Sequence, residues 1–140
     1  MHLIIHTDGG SRGNPGPAGF GVVVREAQTQ KVVTELQGFL GTKTNNEAEY
    51  VGLITALTWL CQNPSPSPTK VEFCLDSMLV VEQMKKNWKI KEPRLQLLAK
   101  KAWELLASLT FPVSFQAIPR AQNKRADQLA NQAMDQGTME

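Results

Sequence analysis

Cysteine and histidine are scarce in this 140-residue chain, with Cys61, Cys74, His2 and His6 the full complement. Two cysteines make no disulfide framework, and neither stands at metal-ligand spacing, so two reduced, partly buried thiols are expected. No serine, cysteine or histidine is placed to serve as a covalent nucleophile. Long apolar runs are missing too. The N-terminal run from Leu3 to Thr7 is too short to span a bilayer and has neither a basic leader nor a small-residue cleavage site. A cytosolic chain without membrane attachment is therefore expected. A formal net charge of +2 gives no general pull toward a polyanion. No extended apolar surface stripe is legible, which makes a monomer the default. What remains, 41% hydrophobic and 20% charged residues, is the composition of a globular protein, and the length suits one domain over residues 1–140.

The hydrophobic pattern divides into strands and then helices. Leu3–Thr7, Gly19–Arg25 and Lys31–Phe39 read as three strands, the second and third joined by a short polar link as an antiparallel hairpin. The segment Gly9-Gly10-Ser11-Arg12-Gly13-Asn14-Pro15-Gly16 reads as a glycine-rich turn. From Thr44 or Asn45, a capped helix carries Ala48, Val51, Leu53, Ile54, Leu57 and Leu60. The proline- and serine-rich stretch from Asn63 to Thr69 ends it. A fourth strand, Val71–Leu75, precedes a helix capped by Asp76-Ser77 that runs to about Met84. A helix over Arg94–Leu109, a strand beginning after Pro112 and a final helix over Asn123–Gln136 complete the chain. This order predicts an α/β fold, a five-stranded mixed sheet flanked by helices, with its site near the carboxyl ends of the parallel strands.

Acidic residues fall at those ends. Asp8 follows the first strand and Asp76 the fourth, and as parallel neighbours the two strands would set the carboxylates side by side. A carboxylate at the end of a buried strand is costly unless a cation compensates it. Glu47 or Glu49 near the start of the first long helix, and Asp127 in the first turn of the last, supply further acids near positive helix ends. Oxygen-only ligands select hard cations, magnesium or manganese rather than zinc. Two such ions about 3.5–4 Å apart can activate water and stabilise a leaving oxygen, which points to phosphodiester chemistry. Each acid alone is also explained as a turn or cap residue; the four together shift the balance.

Thr7-Asp8-Gly9-Gly10-Ser11 with Gly13-Asn14-Pro15-Gly16-Pro17, then Thr44-Asn45-Asn46-Glu47-Ala48-Glu49-Tyr50, Asp76-Ser77 and Asn123-Lys124-Arg125-Ala126-Asp127, resemble ribonuclease H of type I over nearly the whole chain. The resemblance implies endonucleolytic cleavage of the RNA strand of RNA–DNA hybrids, with 5′-phosphate and 3′-hydroxyl ends. It implies Asp8, Glu49, Asp76 and Asp127 as catalytic, metal-binding residues holding two Mg2+ ions, with Mn2+ as a substitute. It selects Glu49 over Glu47, which is left as a capping or solvent-facing acid. Hybrid recognition has to read the 2′-hydroxyl. Gly10, Ser11 and Asn14 of the turn, and Thr44, Asn45 and Asn46 at the helix start, are the expected backbone contacts. Trp88, among Lys85, Lys86, Lys89, Lys91 and Arg94, is a further expected contact.

Two departures from the pattern stand out. Between Met84 and Leu95 there is no room for the basic insertion that some relatives use as a substrate handle. Before Asp127 runs Ile118-Pro119-Arg120-Ala121-Gln122, without the loop histidine of many bacterial members and similar to the archaeal-like branch. Arg120 or Lys124 is the expected partial replacement. A proofreading exonuclease would carry Asp-x-Glu on the first strand, where this chain has Asp8-Gly9-Gly10, and an integrase would space its acids differently. A binding module without catalysis sits poorly with four acids present.

Overall fold

A computed structural model describes residues 1–139. The elements are β1 (His2–Ser11), β2 (Gly16–Glu26), β3 (Val32–Lys43), α1 (Asn45–Gln62), β4 (Lys70–Leu75), α2 (Met78–Met84), α3 (Pro93–Ala107), β5 (Val113–Ala117) and α4 (Lys124–Thr138). A single 3-10 turn, Arg120–Gln122, leads into α4. The sheet order is β3-β2-β1-β4-β5. The β1–β2 and β2–β3 pairs are antiparallel, while β1–β4 and β4–β5 are parallel. Among the described residues no helix is long and apolar enough to cross a membrane.

Period-two alternation sends alternate residues to opposite faces of the sheet. Leu3 and Ile5 of β1, Val22 and Val24 of β2 and Phe73 of β4 join Tyr50, Leu53 and Leu57 of α1 and Ala99 and Ala102 of α3 in the main core. On the opposite face Val23 packs with Ala126 and Leu129 of α4. Gly21 makes that second packing possible, because a Cβ there would lie 2.3 Å from the Ala126 carbonyl oxygen. Helix α4 therefore lies almost directly on β2, which brings its first turn to the edge of β1.

The glycine-rich segment is less of a turn than its composition suggests. Strand β1 continues through Ser11 and β2 begins at Gly16, with Gly9 opposite Phe20 and Gly10 opposite Gly19. Glycine is depleted in strands, but here the ladder and the close packing against helices override propensity. Asp8 is consequently not the last residue of β1. It is the residue just past the end of the parallel β1–β4 ladder, whose final pair is Thr7 with Leu75, and so it stands level with Asp76.

Candidate active site

Helix α1 starts with a capping box. Thr44 Oγ1 accepts from the Glu47 amide at 3.2 Å, and Glu47 Oε1 accepts from the Thr44 amide at 3.0 Å. Glu47 is thus a capping acid, and a buried one rather than solvent-facing. Its carboxyl is held below the ordinary range, first by the Thr44 backbone hydrogen bond. With Glu47 committed to the cap, Glu49 lies two residues further along α1, on another side of the helix, and projects toward β1.

What brings Glu49 to β1 is Gly9. A Cβ on Gly9 would sit 2.3 Å from the Ala48 carbonyl carbon and 2.5 Å from the Glu49 amide nitrogen, so only glycine admits this approach of helix to strand. One carboxylate oxygen each from Asp8, Glu49 and Asp76 then falls within 4.8 Å of the others. Asp8 and Glu49 are both buried. Burial pushes the Asp8 carboxyl up to about 7, helped by the charges of Asp76 and Asp127. Burial and the Asp8 charge push Glu49 well above the usual carboxylate range. No lysine or arginine among the described residues pairs with Asp8, Glu49 or Asp76. Glu49 Oε2 is buried with no hydrogen-bond partner. Three converging carboxylates, an orphaned oxygen and the absence of a protein cation fit a hard divalent ion.

These acids line a cleft of about 400 Å³ together with Gly10, Ser11, Asn45, Asn46, Arg120 and Asp127. Asp127 enters from the first turn of α4, with Arg120 Nη2 3.8 Å from its Oδ1. The Arg120 side chain is 84% exposed at the rim of the cleft. Asn14 and Thr44 line a neighbouring hollow of about 510 Å³ that shares Asn46 with the cleft. Trp88 lies elsewhere. It is 45% exposed over a separate cavity with Lys86, Lys89 and Trp103, apart from the acids.

The asparagines turn out to be braces. Asn45 Oδ1 accepts from the Ser11 amide at 2.8 Å, and Asn14 Oδ1 accepts from the Asn45 amide at 2.9 Å. Strand end, turn and helix start are stitched together, and each side chain keeps its amide NH2 to donate elsewhere. Several residues support the site through contacts that their motifs do not specify. Asn123, 1% exposed, donates from Nδ2 to the Thr7 carbonyl at 2.9 Å and ties the start of α4 to β1 beside Asp8. Tyr50 donates to Gln83 Oε1 at 2.7 Å within the core, linking α1 to α2 behind Asp76. Arg12 reaches α4, with Nη1 2.6 Å from Asp135 and Nη2 3.3 Å from Asn131 Oδ1. His6 is the packed strand histidine expected from its position, kept below the usual histidine range by burial and by Arg25.

Comparisons with known proteins point the same way. A family model described as reverse transcriptase-like matches residues 6–133. The bifunctional protein Rv2228c of Mycobacterium tuberculosis is 46% identical over 135 residues, which is 96% of this chain. The chain spans only about a third of that relative's length, 36%. The crystal structure of RNase H1 from the halophilic archaeon Halobacterium salinarum superposes with a TM-score of 0.89 at 38% identity, covering 97% of this chain and 99% of that one. LC11-RNase H1, solved in complex with an RNA/DNA hybrid, gives a TM-score of 0.90 at 39% identity, covering 97% and 99%.

Proposed function

Because the chain belongs to the type 1 ribonuclease H family, we propose that it hydrolyses the RNA strand of RNA–DNA hybrids with two magnesium ions, manganese serving in their place. The observation that carries this reading is the convergence of Asp8, Glu49 and Asp76 within 4.8 Å, buried and without a protein counter-ion. Those three carboxylates, with Asp127 at the rim, would hold the ions. Ions held there would supply Lewis acidity, lowering the pKa of a water and neutralising charge on a leaving oxygen. Water adds to phosphorus as the bond to the 3′ oxygen breaks, which leaves 5′-phosphate and 3′-hydroxyl ends.

The rest of the work belongs to the chain's own groups. Gly10 and Ser11 bring backbone close to the cleft, and the NH2 groups of Asn14 and Asn45 remain as neutral donors for phosphate oxygens and 2′-hydroxyls. Thr44 and Asn46 flank them at the helix start. Arg120, beside Asp127, supplies an exposed cation where no histidine is available. Trp88 and its lysines would meet the substrate backbone at a distance from the acids. A monomeric, cytosolic role belongs to the same proposal, in keeping with two free cysteines.

The test is a labelled RNA–DNA hybrid incubated with and without magnesium, with Asp8→Asn as a guard against contaminating nuclease. Magnesium-dependent cuts confined to the RNA strand are expected. Hybrid that is bound yet left intact in both magnesium and manganese would overturn the reading.

A further inference from the structure

Asp127 is the acid that the buried cluster leaves out. Asp8, Glu49 and Asp76 bring one carboxylate oxygen each within 4.8 Å of the others, whereas Asp127 stands at the rim of the same cleft with its side chain 35% exposed. Its place depends on how α4 is seated. That helix starts without a side-chain cap, so tertiary contacts have to position its first turns. Asn123 ties its beginning to the Thr7 carbonyl of β1. The second tie comes from the opposite side of the cleft, at Arg12.

Arg12 lies in the turn between β1 and β2 and lines the cleft. Its Nη1 is 2.6 Å from Asp135 Oδ1, while Nη2 donates to Asn131 Oδ1 at 3.3 Å and to the Asn131 carbonyl at 3.4 Å. Asn131 Nδ2 in turn donates to the Asp127 carbonyl at 3.0 Å. Asp127, Asn131 and Asp135 recur at every fourth position and share one side of α4. Among the described residues no other polar side chain joins this turn to α4. The turn is itself braced to α1 through Asn45 and Asn14, so Arg12 completes a path from the helix that carries Glu49 to the helix that carries Asp127. The Arg12 and Asp135 side chains are 42% and 60% exposed, and such a pair contributes little to stability. Three contacts from one planar fork fix direction instead.

We propose that Arg12 is a positioning residue for Asp127. By fastening the turn to α4 it keeps the fourth carboxylate in reach of the other three, so that an ion bound by the acids meets Asp127 as well. Arg12 acts through Asn131 and Asp135 and not by touching substrate. The inference rests on the reading of the cleft as a metal-dependent nuclease site.

Arg12→Gln, Asp135→Asn and the double variant are compared with the parent chain by steady-state kinetics on hybrid, manganese calorimetry without substrate, and thermal melting. Arg12→Gln is expected to lower kcat about tenfold, the scale of a small misplacement at a reacting centre, with KM changed by less than about twofold. Asp135→Asn should lower kcat by a smaller factor, and the double variant no further than Arg12→Gln, because both act through one contact. Manganese binding by Arg12→Gln should weaken by about fivefold, in the same step that Asp127→Asn weakens. The melting midpoint should move by no more than about 4 °C, so that lost folding does not account for lost turnover. An unchanged kcat, a raised KM with kcat kept, additive losses in the double variant, manganese binding unaffected by either Arg12→Gln or Asp127→Asn, or a larger fall in the midpoint would each overturn the proposal. A parent chain that leaves hybrid intact and binds manganese no better than Asp8→Asn would overturn the nuclease reading, and the proposal with it.

Discussion

The two cavities at the first turn of α4 are built from the same pair of elements and have opposite character. Toward the end of β1, the cleft gathers Asp8, Glu49, Asp76 and Asp127. Two residues back on the same face of β1, the other cavity gathers His6, Arg25, Lys124 and Arg125. Charge is thus sorted by position and not by net excess, which is why a formal charge of +2 said so little. The two differ in compensation, for Arg125 is paired with Glu35 and Asp127 with Arg120, while Asp8, Glu49 and Asp76 form no pair with a protein cation among the described residues.

The comparison is broken most severely by removing the acid at its centre. Asp8→Asn should lower hydrolysis by on the order of 10³-fold, since several kcal/mol of charge stabilisation are lost with the ligand set. The same substitution should raise stability in the absence of divalent ions. Asp8 titrates near 7 when folded, against an ordinary value of 3.8, so the folded state binds the extra proton in the window between them. Its contribution is favourable below about pH 4 and is lost as pH climbs through 7, where the buried group has to ionise. A melting temperature higher by roughly 5 °C at pH 8, shrinking toward pH 4, is expected in calorimetric scans with chelator. An equal gain at both pH values would contradict that account.

A smaller effect comes from the geometry that gathers the acids. Gly9→Ala should destabilise the fold by about 1–3 kcal/mol and reduce turnover, because the added methyl meets the Ala48 backbone and pushes Glu49 away from Asp8. Gly10→Ala provides the contrast, for its nearest neighbour is the flexible end of Met134 at 3.8 Å, and stability should be retained. Denaturant melts of the pair separate close approach from glycine content. Smallest of all, Arg120→Ala removes the exposed cation on the acidic side. KM should rise by up to about fivefold with kcat nearly unchanged, the range of an exposed ion pair. Steady-state kinetics on hybrid would settle it, and an unchanged KM would deny Arg120 a part.

How much of this was legible in the sequence depends on what each residue does. Asp8 and Asp76 could be read because strand ends and parallel pairing follow from hydrophobic pattern and element order. The fold class was legible for the same reason. Glu49 was not separable from Glu47 by periodicity; the resemblance chose it, and the capping box explains the choice by giving Glu47 another role. Gly9 read as a turn residue because nothing in a sequence tells a glycine needed for bending from one needed for contact. Asn123 was legible as the start of the last helix but not as a brace, because that role lies in a bond to Thr7, 116 residues away along the chain. Trp88 was read as a substrate-backbone contact from its lysine neighbours, and it lies over a cavity with Lys86 and Lys89, apart from the acids.

The relay of asparagine bonds from Ser11 through Asn45 to Asn14 reaches further than its two short distances suggest. They tie a surface turn to the first turn of a helix, so neither can fray without the other. In hydrogen–deuterium exchange the Ser11 and Asn45 amides should therefore behave as one opening unit with a shared free energy, despite their exposed positions. Asn14→Ala should speed exchange at both amides together, although it removes the acceptor of only one.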